Sequence, residues 1–295
     1  MMKTFRLFSF LMFACLGWCA AALAQTSASQ LAWQAASKVA IYGPSYTTLG
    51  DQAIFHIPRG MAFIPKPEAA ALMAAWGNSS SPGFFGLVVA DNSNSNWVMT
   101  IEHTAEGYVK DDEAKSWNPD ELLQSLKDGT EEQNKERVKM NIPAMDIVGW
   151  IEPPSYDVTT HRLVWSLKAV DRGGDKNAPA TVNYNTYALG RDGYFQVNLL
   201  TSDAFINNEK SYARTVLSSL EYKAGKKYED FNETTDHIAE YGLAALIGGV
   251  AAKKLGLLAL AGVFFLKFAK IIAVAAAVAG GSLFKFFRKK PADRA

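Results

Sequence analysis

Cysteine is almost absent from this chain: there are two among 295 residues, Cys15 and Cys19. Both lie in an N-terminal stretch patterned like an export leader, so a mature chain would hold none. That excludes a disulfide frame, a thiol nucleophile and a thiolate metal site. Histidine is scarce too, with His56, His103, His161 and His237. None stands in a two-His helical pair or another metal-ligand spacing, so no metal site is expected. No Gly-rich loop is followed by Lys-Ser/Thr, which removes the phosphate cradle of a nucleotide-binding protein. The nearest approach to a nucleophile elbow, Gly43-Pro44-Ser45-Tyr46-Thr47, lacks its final glycine. The residues point to a protein that is not an enzyme and carries no cofactor.

Acidic residues are missing from one end. Over 241–295 there are nine Lys/Arg and one acid, Asp293, whereas 25–240 holds 28 acids against 19 bases. An acidic domain repels phosphate, so no nucleic-acid partner is expected. The basic end suits anionic lipid head groups. The two halves face different surroundings.

Both ends read as membrane-directed. Lys3 and Arg6 precede an apolar run from Leu7 to Ala21, and Ala22-Leu23-Ala24 supplies a small-x-small cleavage pattern. Residues 1–24 are therefore expected to be a signal peptide, with an uncleaved anchor as the alternative. Residues 241–284 are apolar but interrupted by Lys253, Lys254, Lys267 and Lys270. A spanning helix needs ~20 apolar residues, so any span includes a lysine. Over Leu255–Ala275 the apolar side chains contribute roughly −0.3 to −0.6 kcal/mol each, and two central lysines cost roughly +2.5 to +3.5 each. The sum is near zero, and snorkelling tips it toward insertion. The expected partner is the lipid bilayer, with Lys267 and Lys270 as membrane contacts. Self-association, or contact with another membrane protein, would run through this segment. The cluster Lys285, Arg288, Lys289, Lys290 marks 285–295 as a cytoplasmic tail, and so a bacterial inner membrane with the globular domain (25–235) on its extracytoplasmic side.

That domain reads as α+β: an antiparallel sheet of roughly six strands with flanking helices, followed by the hydrophobic membrane segment. Trp97, Met99 and Ile101 alternate with Val98, Thr100 and Glu102, the period of a half-buried strand. Asn118-Pro119-Asp120-Glu121 is a helix start. Gly129 is expected to stop that helix, and Thr130 to begin a second, mostly solvated one. His161–Val170, Thr181–Leu189 and Tyr194–Thr201 form an apparent meander, with hairpin residues Gly190-Arg191-Asp192-Gly193.

Two stretches carry candidate chemistry. Glu102 and His103, with Glu106 near and His161 further along, can be drawn as acid/base groups of an envelope hydrolase; ordinary strand-end surface explains them better. The other stretch is Gly149-Trp150-Ile151-Glu152-Pro153-Pro154-Ser155-Tyr156-Asp157, followed by His161-Arg162-Leu163-Val164-Trp165. Its functional reading is a recognition groove contacting a ligand or partner through Trp150, Glu152, Tyr156, Asp157, His161 and Trp165. The competing one is an extended loop whose aromatics plug the core.

These words carry a resemblance. Together with Gly43-Pro44, Leu49-Gly50-Asp51, Val182-Asn183-Tyr184-Asn185, Leu189-Gly190-Arg191-Asp192-Gly193 and the stretch Asp236–Gly249, they resemble the DUF2167 family of bacterial membrane-anchored proteins. The resemblance implies a signal peptide, an extracytoplasmic domain and a C-terminal anchor. It transfers no catalytic residue, because the family's function is unknown. The missing catalytic constellation and the acidic, cysteine-free domain lead to the expectation of a membrane-tethered binding or scaffold module of the cell envelope.

Overall fold

A computed structural model describes residues 28–91, 97–139, 143–173 and 180–248. The leader, the segment from Gly249 onward with Lys267 and Lys270, and the basic tail lie outside the described residues. Among those described, no helix is long and apolar enough to cross a membrane.

In chain order the elements are α1 (28–39), β1 (Ile41–Tyr42), β2 (Ser45–Leu49), β3 (Ala53–Ile57), β4 (Met61–Pro65), α2 (Glu68–Ala75), β5 (Phe84–Ala90) and β6 (Val98–Thr104). Then come α3 (Pro119–Lys139), β7 (Met145–Asp157), β8 (Arg162–Asp171), β9 (Thr181–Gly190), β10 (Gly193–Ser202), α4 (Ile206–Ser218), β11 (Leu220–Tyr222) and α5 (Ala245–Gly248). Eight strands pair in the order β1-β4-β5-β6-β10-β9-β8-β7, and three more as β11-β3-β2. Every pairing is antiparallel. The class is α+β as expected, but the expected sheet of roughly six strands is an eight-stranded sheet with a separate three-stranded one.

The missed strands have physical reasons. β1, β2 and β11 are short, with two, five and three residues, too brief for a periodic signal. β7 contains Pro153-Pro154, which argues against a central strand; it is the sheet's edge, and its pairing with β8 slips between Glu152 and Ser155. In the β9–β10 hairpin Gly193 has φ +112°, and a Cβ there would lie 1.8 Å from the Thr104 carbonyl oxygen. Only glycine fits so close an approach.

Gly129 does not end α3. Leu122, Leu126, Thr130, Asn134 and Arg137 form one buried stripe along all 21 residues of the helix. Packing of that stripe outweighs the roughly 1 kcal/mol cost of a mid-helix glycine. The second half is also not merely solvated. Asn134 donates to the Met145 carbonyl at 2.8 Å and accepts from its N–H at 2.7 Å, while Arg137 donates to the Pro143 carbonyl at 2.7 Å. The start is as expected: the Asn118 side chain caps the Asp120 N–H at 2.9 Å.

The large sheet is covered on both sides. Its front carries the three-stranded sheet and α4 over Phe55, Phe63, Met99, Ile101, Phe195 and Val197. Its back carries two separate clusters. Helices α1 and α2 cover the β4–β5 end through Ala36, Leu72 and Met73. At the β7–β8 end α3, α5 and the arm from Tyr228 to Ile247 cover Leu163, Trp165, Leu167 and Tyr187. The two clusters divide the inner strands, Leu200 of β10 belonging to the first and Tyr187 and Leu189 of β9 to the second.

Candidate ligand-binding site

The six residues singled out in 150–165 do not form one groove. The slip of register between Trp150 and Glu152, with alternation on either side of it, sends them to opposite faces. Glu152 is on the front, where it accepts from Lys210 at 3.3 Å, from Tyr184 at 3.1 Å and from Arg214. Arg214 also donates to the Tyr184 hydroxyl at 2.9 Å. This set clamps α4 to the sheet, and burial pushes the Tyr184 phenol up to about 12. Asp157 caps its own turn, accepting from the Thr159 N–H and the Thr160 hydroxyl at 2.8 Å each.

Trp150 donates to the Pro119 carbonyl at 3.1 Å and meets Trp165 edge-on, with ring centres 6.1 Å apart. Tyr156 and His161 do come together. The Tyr156 hydroxyl donates to Asp111 at 2.7 Å and lies 3.0 Å from His161 Nδ1, and the His161 ring lies 4.1 Å from that of Tyr228. Burial, then the Asp111 carboxylate, holds the Tyr156 phenol far above its ordinary range. His161 has φ +51°, a left-handed backbone that fixes it at the hairpin tip. The cluster ties the β7–β8 hairpin to the arm that leads toward the C-terminus.

The alternative acid/base set is dispersed. Glu102 and His103 are neighbours on β6 and so point to opposite faces. Glu102 accepts from the Ser81 hydroxyl at 2.5 Å on the back. His103 packs on Phe195 on the front, ring centres 4.8 Å apart, and burial lowers its pKa. Three strand spacings, about 14 Å, separate β6 from β8 at the end of which His161 stands. No two of the three can share a proton transfer.

The centre of the back face is polar. The register aligns Trp165 with Asn185, Asn185 with Asn198, and Asn198 with Thr100, one row across four strands. The next row aligns Leu163, Tyr187, Gln196 and Glu102. Asn198 is 0 %, Asn185 1 % and Thr100 1 % exposed. Yet both side-chain atoms of Asn198, the Oδ1 of Asn185 and of Asn183, and Trp165 Nε1 have no well-formed hydrogen bond. The Trp165 indole bears on the Tyr187 hydroxyl, which accepts from Gln196 Nε2 at 3.3 Å. Burial raises the Tyr187 phenol. More than 90 % of buried polar groups in folded proteins have a partner, and each orphan costs about 1–3 kcal/mol. Four of these are amide atoms of Asn183, Asn185 and Asn198, grouped on β9 and β10. Among the described residues no group of three His, Cys, Asp or Glu could hold a metal ion, and the floor has no basic side chain, so it offers neutral hydrogen bonding alone.

The family model described as "Protein of unknown function (DUF2167)" matches residues 41–277. The chain belongs to the DUF2167 family. No curated protein matches it significantly. Among solved structures it is similar to the solution structure of cyanobacterial PsbP (CyanoP) from Synechocystis sp. PCC 6803, at TM-score 0.35 and 11 % identity over 60 % of this chain and 91 % of that one.

In this DUF2167 member the floor was missed from sequence, although its signal was present. In Val182-Asn183-Tyr184-Asn185 and Gln196-Val197-Asn198 the amides alternate with apolar residues. A two-residue hairpin then places both sets on one face. Two adjacent strands with amides where a core face belongs are the pattern to look for.

Proposed function

We propose that this protein is a membrane-tethered binding module of the bacterial cell envelope, with its α+β domain on the extracytoplasmic side of the inner membrane. The carrying observation is the row of buried, uncharged and unpartnered polar groups on the back of the sheet. Binding needs neutral donors and acceptors in a fixed frame; the rival hydrolase reading would need Glu102, His103 and His161 together, and these three lie on different faces and strands. The leader and the lysine-interrupted apolar segment support the tether, with Lys267 and Lys270 at a lipid or protein contact and the tail in the cytoplasm.

Two experiments test the reading. A reporter fused after Ala295 should be active only in the cytoplasm; periplasmic activity would reverse the orientation. Native mass spectrometry of the chain released from its own membranes should detect a bound small molecule. That mass should be absent from Asn198→Leu and retained in the Glu102→Gln/His161→Gln double variant. Wild-type protein carrying nothing would overturn the binding reading.

A further inference from the structure

Among the described residues each sheet has two edge strands, β1 and β7 in the large one, β11 and β2 in the small one. Three of them are guarded against pairing. β1 has two residues; β11 has three and carries Glu221, in an ion pair with His56 at 3.2 Å. β7 is broken by Pro153-Pro154 and three slips of register. β2 has no such guard. It reads Ser45-Tyr46-Thr47-Thr48-Leu49, without charge or proline, and keeps an unbroken register against β3. Its outer side also presents free backbone. The His56 N–H donates at 2.9 Å to the Ser219 carbonyl, just before β11, and so turns away from Tyr46, its opposite on β2. In an antiparallel ladder such pairs alternate with hydrogen-bonded ones. Tyr46 and Thr48, two residues apart, therefore both direct N–H and C=O away from β3.

We propose that this edge pairs with β2 of a second copy of the chain, joining the two small sheets about a two-fold axis at Thr47. Antiparallel pairing centred there sets Tyr46 opposite Thr48 of the second copy, and Thr48 opposite its Tyr46. Every outward donor then meets an outward acceptor. Any extended strand can supply backbone bonds, but the side chains favour a copy. Tyr46 is 69 % exposed and Thr48 is exposed too; in this register they form aromatic–β-branched cross-strand pairs. Charge points the same way. Residues 25–240 hold 28 acids against 19 bases, so two copies repel where their acids approach, and an uncharged edge is where they can meet. The contact is short, which makes it reversible rather than permanent.

The test traps it. Thr47 faces Thr47 of the second copy as a pair without hydrogen bonds, with Cα atoms about 4.5 Å apart, a separation that a disulfide spans. Full-length Thr47→Cys protein, in the membranes of the cells that make it, is oxidised with copper phenanthroline and run without reductant. A disulfide-linked dimer should form. It should be absent from wild type, where Cys15 and Cys19 set the background, and from Val158→Cys, at the exposed tip of the β7–β8 hairpin. Adding Tyr46→Lys and Thr48→Lys to Thr47→Cys sets lysine against lysine across the contact while leaving both side chains in solvent in the single chain. That variant should keep its Tm and lose the dimer roughly tenfold. Equal trapping at Val158→Cys and Thr47→Cys would reduce the dimer to collision and overturn the proposal. So would a dimer indifferent to the two lysines, or a folded Thr47→Cys chain that stays monomeric or links to a different protein.

Discussion

The two faces of the large sheet treat buried polarity in opposite ways. On the front, Glu152, Tyr184, Lys210 and Arg214 close on one another, and the Thr186 hydroxyl donates to the Val197 carbonyl at 2.8 Å. Where a front-face atom lacks a partner it stands singly against an aromatic ring, as His103 Nε2 does beside Phe195 and Trp97 Nε1 beside Tyr212. On the back, four such amide atoms, of Asn183, Asn185 and Asn198, are gathered across β9 and β10. A closed cluster is a structural clamp, because every group in it already has its partner. An open row costs stability in the free protein and regains it only when something fills it. Opposite responses to substitution should therefore separate the two faces.

The largest effect is expected on the front. Glu152→Ala leaves Arg214, Lys210 and the Tyr184 hydroxyl without their shared acceptor. Both cations are partly exposed, which reduces the penalty below that of a fully buried pair. A loss of about 2–3 kcal/mol, read as a fall of roughly 5–10 °C in Tm, is the expected outcome. A change within ~0.5 kcal/mol would remove the clamp from the account. Tyr184→Phe deletes only the hydroxyl between Glu152 and Arg214 and should cost about 1 kcal/mol by urea unfolding.

A pH test reaches the single front-face atoms. Burial lowers the folded-state pKa of His103, so the unfolded chain takes up a proton there before the folded protein does. Its contribution is present above the ordinary histidine value near 6.5 and is lost as pH falls through that value. The slope from one group is at most about 1.4 kcal/mol per pH unit. His103→Phe, placed against Phe195, should flatten the acid side of the stability profile between roughly pH 7 and 5 in urea titrations. An unchanged slope would mean that His103 ionises equally in both states.

The sequence made the fold class legible and the site almost illegible. Alternation in Trp97–Glu102 and in the 161–201 meander identified inner strands, and Asn118-Pro119 identified the start of α3. The edge was harder: Pro153-Pro154 and three slips of register disguised β7 as an extended loop. For the site, the aromatic and charged words drew attention because they are chemically loud. Most are absorbed by packing, by the clamp or by a turn. Asn183, Asn185 and Asn198 look like ordinary strand-end polarity until pairing puts them side by side, and pairing is tertiary information. Of the six residues singled out as ligand contacts, Trp165 alone reaches the row.

The smallest effect is also the most discriminating. Asn185 donates from Nδ2 to the Asn183 carbonyl at 3.3 Å, while its Oδ1 has no partner. Asn185→Leu gives up one long hydrogen bond, worth at most about 1 kcal/mol. It also removes an orphaned acceptor, whose burial costs about 1–3 kcal/mol, and adds apolar surface beside Trp165. The terms nearly cancel, with the balance favouring leucine, so unfolding in urea should show a change between zero and about 1 kcal/mol in the stabilising direction. Such a result beside the loss at Glu152→Ala would establish that the back row is held for something other than stability. Destabilisation by more than about 1 kcal/mol would instead give Asn185 a structural role like that of the front-face clamp and dissolve the contrast between the faces.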